Sequence, residues 1–169
     1  MNRECRLLTF FIVLSTAVFL ISCTTSEVVR EVMDPKNFLS SKTKLDLKII
    51  GSTDLNPDQS GRPSPVVVRL YSLVSPSIFE NADFVSLFHN DKAVLGADFI
   101  RKEEKDFQPS ESFEAQLEIN ENANFIGFMV AYQDIEQAQW RLVLPMEQGK
   151  HNYLKIRLTA DSVLVERED

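Results

Sequence analysis

From Lys44 onward the chain alternates apolar and polar residues in short runs, and a period of two commits such runs to half-buried strands. Leu45, Leu47 and Ile49 point one way in the first run, while Lys44, Asp46 and Lys48 point the other. Pro65 to Val74 reads as a second strand. Its Val66, Val68, Leu70 set and its Val67, Arg69, Tyr71 set suggest burial on one face and partial cover on the other. Further strands are predicted at Phe99–Phe107, Ser112–Ile119, Phe125–Tyr132, Trp140–Leu144, Asn152–Thr159 and Val163–Glu166. Turn residues separate them at Pro109-Ser110, Asn120–Asn122 and Gln148-Gly149. One stretch changes period: Phe84, Leu87 and Phe88 fall at i, i+3 and i+4, the spacing of a single helical face. Ser77 with Glu80 suits a capping box, so a helical insert is expected near 78–95. Its aromatics either dock the helix on a sheet or line a ligand pocket, and docking is the simpler reading. Together these elements predict a mainly β chain, a two-sheet antiparallel β-sandwich over 44–169 with a small helical insertion.

Residues 1–22 follow a different rule. Arg3 and Arg6 make a basic start, Leu7 to Ile21 carries no charge, and small Ser22 precedes Cys23, the pattern of a signal peptide. The apolar run is about 15 residues, short of the roughly 20 that a spanning helix needs. A retained N-terminal anchor is the alternative. Leu20-Ile21-Ser22-Cys23 matches the bacterial lipobox, in which the cysteine sulfur takes a diacylglyceryl group before the leader is cut. Each buried methylene adds about 0.8 kcal/mol of membrane affinity, so an acylated Cys23 is an effective anchor. Thr24, rather than Asp, follows the cysteine, which resembles default sorting to the outer membrane in enteric bacteria. The expected location is therefore the periplasmic face of that membrane, held by lipid. Residues 23–43 read as an acylated N-terminus and flexible tether, spanning roughly 25 Å. Val28, Val29, Val32 and Met33 offer one amphipathic helical turn as the alternative there.

Cysteine and charge usage narrow the function. Cys5 leaves with the leader, so the one remaining cysteine is acylated and no intrachain disulfide, zinc or redox role is expected. The formal charge is −7, and because Arg3 and Arg6 outweigh Glu4 the cleaved chain carries about −8. That argues against nucleic acid and anionic lipid surfaces as partners. His89 and His151 have no metal-ligand spacing, and no Gly-x-Ser-x-Gly elbow is present. Asp54 to Gly61 places oxygen side chains at alternate positions, as calcium loops do, but Gln59 stands where such a loop needs glycine and Pro65 where it needs a bidentate glutamate. The mixed-sign run Arg101–Asp106 reads as the solvated side of a strand and its turn. No enzyme, cofactor, metal or small-molecule substrate is expected.

The residues from Leu55 to Phe88 carry a more specific signal. Leu55-Asn56-Pro57-Asp58, then Gly61-Arg62-Pro63-Ser64-Pro65-Val66-Val67-Val68-Arg69-Leu70-Tyr71-Ser72-Leu73, resembles the TssJ (VasD-type) lipoproteins of the bacterial type VI secretion system. Phe79 and Ala82-Asp83-Phe84 through Leu87-Phe88 match the helix that follows in that family, and Ala131-Tyr132 with Trp140-Arg141 fit its paired core strands. One departure is visible: the family often has Pro-Gly where this chain has Pro109-Ser110. Since glycine eases a positive φ, the turn is expected to adopt another type.

The resemblance implies a transthyretin-like sandwich that binds the periplasmic C-terminal region of the inner-membrane protein TssM and, through it, TssL. It also implies that the loop between the first two strands meets the partner. Here that loop is Gly51–Ser64, and the contact residues implied are Leu55, Asn56, Pro57, Asp58 and Arg62. For Asn56, Pro57, Gly61 and Pro63, shaping the loop is the competing role. An unrelated periplasmic lipoprotein with a ligand- or carbohydrate-binding sandwich is the rival reading. An interior pocket would favour the rival, and a filled core with a protruding first loop would favour the secretion protein.

Overall fold

The computed structural model describes residues 42–166. The leader, Cys23, the tether up to Ser41 and its alternative helical turn lie outside the described residues. The strands are β1 (Thr43–Gly51), β2 (Val66–Leu73), β3 (Phe99–Phe107), β4 (Ser112–Ile119), β5 (Phe125–Ala131), β6 (Arg141–Pro145), β7 (His151–Leu158) and β8 (Val163–Glu166). They form two four-stranded sheets, ordered β4-β1-β7-β8 and β3-β2-β5-β6. β1 begins at Thr43, one residue before the expected boundary. Every neighbouring pair is antiparallel except β1 and β7, which run parallel.

The inward residues are those the alternation selects. Leu45, Leu47 and Ile49 of β1 face Val66, Val68 and Leu70 of β2, with Ile126, Phe128 and Val130 of β5 and Ile156 and Leu158 of β7 completing the core. The core is complete within the described residues, so this part of the chain encloses its own apolar interior.

A helical layer covers the outer face of the β3-β2-β5-β6 sheet. It consists of two helices, α1 (Ser77–Asn81) and α2 (Phe84–Leu95), where the sequence pattern predicts one insert. The capping box at Ser77 does not form. Pro76 occupies the cap position with helical backbone angles, so Ser77 is already inside the helix and its N–H donates to Ser75 Oγ at 3.4 Å. Extended Ala82 separates the helices, and Asp83 caps the second by accepting from the Ser86 N–H at 2.9 Å. Phe79, Leu87 and Leu95 pack on Tyr71, Leu73 and Met129. Gly127 of β5 makes room for this, because a Cβ there would stand 3.1 Å from the Phe79 ring and from Leu73 Cδ1. The aromatics thus dock the helices, as the simpler reading holds.

Polar side chains fasten the same layer. Arg69, only 9% exposed, pairs through Nε with Glu104 at 2.6 Å, donates from Nη1 to the Phe88 carbonyl at 2.6 Å, and stacks on the Phe88 ring. Buried Asp91 receives Lys102 Nζ at 2.6 Å and the Tyr71 hydroxyl at 3.2 Å. Burial alone would raise the Asp91 pKa, but the Lys102 ammonium and the Lys92 amide outweigh it and leave the carboxyl below its ordinary value. Arg141 Nη1 donates to the carbonyls of Phe79 at 3.1 Å and Ala82 at 2.7 Å, where α1 runs out of internal partners. Lys102 and Glu104 belong to the charged run expected to be solvated. Their register opposite Tyr71 and Arg69 turns them instead toward the helices.

The β3–β4 turn keeps the positive φ expected to be lost, with Ser110 at φ 65°. Its N–H donates to the Ser52 carbonyl at 3.0 Å, a bond that holds the left-handed conformation despite the side chain. A non-glycine residue in this region costs roughly 1–2 kcal/mol. Ser110→Gly should therefore stabilise the domain by about 1 kcal/mol, raising its melting temperature by about 3 °C in thermal denaturation followed by circular dichroism.

Candidate partner-binding surface

The sandwich has two unlike ends. Thr43 opens β1 at one end, beside the β6–β7 turn, where its Oγ1 donates to Gln148 Oε1 at 2.8 Å. The opposite end gathers the β1–β2 loop, the β3–β4 turn, the β5–β6 connection and the β7–β8 turn.

The β1–β2 loop has an anchored neck. Leu55 is 0% exposed and belongs to the main core. Asn56 is also buried, at φ 48°, and its side chain accepts from the Gln133 N–H at 2.8 Å while donating to the Pro65 carbonyl at 2.7 Å. The Asn56 N–H reaches the Ala160 carbonyl at 3.2 Å, and the Ser64 N–H reaches that of Leu55 at 3.0 Å. The neck is thereby sewn to two other connections. This corrects the reading of Leu55 as a contact residue, because its side chain is packed in the core; the Asn56 side chain is held by Gln133 and Pro65, which fits the loop-shaping role.

Beyond the neck, Pro57 to Arg62 projects as a tip, and Asp58 organises it. The Asp58 carboxylate accepts from Ser60 N at 2.8 Å, Ser60 Oγ at 2.6 Å and Arg62 N at 3.0 Å, and pairs with Arg62 Nη2 at 2.8 Å. Gly61 supplies the left-handed turn, at φ 78°. These bonds, led by the one from the Ser60 side chain, hold the Asp58 carboxyl at about 2, below its ordinary 3.8. The oxygens that hint at a calcium loop are thus spent on the loop's own donors. The Arg62 side chain is 81% exposed, with its guanidinium aligned by Asp58, so it presents remaining N–H groups outward. Pro57 is exposed beside it. Pro57, Asp58 and Arg62 therefore stand together at the tip, and Cys23 lies outside the described residues.

A groove of about 580 Å³ runs beside the tip, lined by Asn56–Gln59, by Tyr132, Gln133, Asp134, Gln137 and Ala138, and by Ala160 and Asp161. Sequence periodicity gives no sign of it, since three separated segments meet there. The Gln139 N–H bond to the Asp161 carbonyl, 2.8 Å, closes two of them together. The histidines lie elsewhere: His89 rests edge-on against Phe88, and His151 stacks on Tyr153 and approaches Asp46 at 3.0 Å.

Leu55→Ala should destabilise the domain by about 2–5 kcal/mol, as buried leucines do, seen as a lower denaturant midpoint. The Asp58 carboxyl should titrate near 2 by NMR. Its folded value is depressed, so its hold on the tip is complete above about pH 4 and lost as pH falls through about 2. Amide shifts of Ser60 and Arg62 should follow that midpoint.

Comparison with known proteins bears on this geometry. The model of the type VI secretion lipoprotein family, described as VasD, EvfM and TssJ, matches residues 43–161. Among solved structures, the T6SS lipoprotein TssJ1 from Pseudomonas aeruginosa is 28% identical, with a TM-score of 0.72 over 76% of this chain and 99% of its own. Serratia marcescens Lip, a membrane-bound component of the type VI secretion system, shares the fold at 20% identity and TM-score 0.71, over 76% of this chain and 99% of its own. A chain in the structure of the T6SS protein TssM C-terminal domain (869–1107) from EAEC is 25% identical, with a TM-score of 0.62 over 74% of this chain and 98% of its own. No curated protein matches the sequence significantly.

Proposed function

The chain belongs to the type VI secretion lipoprotein family, and from that membership we propose that it anchors the secretion membrane complex in the outer membrane. Acylated Cys23 holds one end in the periplasmic leaflet. The tip Pro57–Arg62 binds the periplasmic C-terminal region of TssM at the other, and TssM connects it to TssL in the inner membrane. The protein works by binding, with no chemical step.

The β1–β2 loop carries this reading. It is pinned at its neck and stiffened at its tip, and it stands at the end of the sandwich away from Thr43. A loop ordered before binding loses little entropy when it docks, which favours affinity. Arg62, aligned yet exposed, is a side chain type that often dominates such contacts. The similar chain in the structure of a TssM C-terminal domain supports the choice of partner.

The ligand-binding alternative has one observation in its favour. An apolar cleft of about 420 Å³ opens along the β3–β4 edge of the sandwich, with Leu47, Val68, Phe107 and Phe113 among its walls. An apolar fluorescent probe that bound there with micromolar affinity would favour that reading.

Three outcomes test the proposal. Residues 24–169 should co-purify with the periplasmic part of the TssM encoded alongside, and no binding at micromolar concentration would refute the partner. Arg62→Ala should weaken that binding about tenfold while leaving the melting temperature nearly unchanged, as truncation of a contact arginine does. Cys23→Ala protein should fold and still bind TssM, yet secretion should fail; secretion that survives would make the lipid anchor dispensable.

A further inference from the structure

Tyr132 lines the groove beside the tip and is only 5% exposed, yet its hydroxyl has no hydrogen-bond partner among the described residues. A buried hydroxyl left unpaired is unfavourable, and phenylalanine would fill the same ring space without that penalty. The groove's charge is one-sided. Asp58, Asp134 and Asp161 line it, with no lysine or arginine among its walls. Asp58 is committed to Arg62 and Ser60. Among the described residues the Asp161 carboxylate accepts from Ser162 Oγ, at 2.9 Å, and the Asp134 carboxylate accepts no hydrogen bond, its carbonyl taking the Ala138 N–H. Burial raises the Tyr132 pKa and the Asp161 charge adds to it, so the phenol stays neutral and keeps its lone pairs for a donor.

An anion is repelled by this arrangement, and an apolar group would strip water from two carboxylates without replacing it. A cation with several N–H groups can pair with both carboxylates and donate to the hydroxyl oxygen. We propose that the groove is the seat of a basic side chain, lysine or arginine, presented by the partner. Asp134 and Asp161 supply the opposing charge, and the Tyr132 oxygen accepts one of its N–H bonds. The rim side chains Gln133, Asp134, Gln137 and Asp161 are exposed, and the proposal requires them to turn aside for the partner's cation to reach the hydroxyl. This rests on the partner reading above and adds the chemistry the partner must bring: a basic residue that enters beside the tip rather than against it. A charge-assisted bond inside a partly closed groove is stronger than one on an open surface, and its loss speeds dissociation.

The test uses residues 24–169 and the TssM periplasmic part. Tyr132→Phe should melt at or above the wild-type temperature and still bind at least threefold more weakly, a combination that a merely structural tyrosine would not give. Asp134→Asn with Asp161→Asn should weaken binding tenfold or more and flatten its dependence on salt. If the double variant melts early, Asp134→Asn alone replaces it, because that carboxylate holds nothing in the free protein. Wild-type affinity in either the tyrosine or the aspartate variant, beside a wild-type domain that binds, overturns the seat and leaves the partner reading standing. A wild-type domain that does not bind overturns both.

Discussion

Strand β2 has no solvent face: Val66, Val68 and Leu70 meet the opposite sheet, while Arg69, Tyr71 and Leu73 lie beneath the helices. Burying both sides of one strand requires two separate covers, and most of the remaining structure supplies them. The β4-β1-β7-β8 sheet is the apolar cover. The helical pair is the other, and it must also satisfy a guanidinium and a phenol placed in its shadow. That is why a layer of only two short helices carries so many polar attachments, from Arg69 on Glu104 and the Phe88 carbonyl to Asp91 on Lys102. A buried arginine left without partners would cost several kcal/mol, so the helices are held where their carbonyls meet it.

The same economy shapes the loop end. Residues 52–65 have no regular secondary structure, and a loop of that length is usually mobile unless its backbone groups find partners elsewhere. Here they do. Leu55 sinks into the core, Asn56 bridges to the β5–β6 connection, and the β3–β4 turn braces Ser52. What protrudes is short and internally bonded. The groove beside it follows from that bracing, because three connections drawn together at one end leave a gap between them.

Much of this was legible in the sequence and some of it was not, for reasons of range. Alternation is a local property, so the strands and their inward residues could be read from it. Pairing is not local: the parallel contact of β1 with β7 joins segments a hundred residues apart, and nothing in either strand announces it. Leu55 misled because a lone leucine in a polar stretch looks like a protruding contact, and only the fold shows that the chain dips back into the core there. The charged run in β3 misled in the opposite sense, since two of its members face buried partners on α2 and β2. Ser110 shows a tertiary bond overriding residue preference. Asp58 was visible as a loop acid, but its role as the hub of the tip depended on backbone geometry that no spacing rule encodes.

The position of β1 has a mechanical consequence. It is an interior strand, bonded along Thr43–Ile50 to β4 on one side and along Lys44–Gly51 to β7 on the other. The chain enters it at Thr43 and leaves it at Gly51 for the loop, so a pull between the N-terminus and the loop tip is directed along the strand. Both hydrogen-bond ladders are then stressed in shear, with many rungs resisting together, rather than unzipped one at a time from an edge. A thread stitched through the middle of the cloth holds where one at the hem would tear.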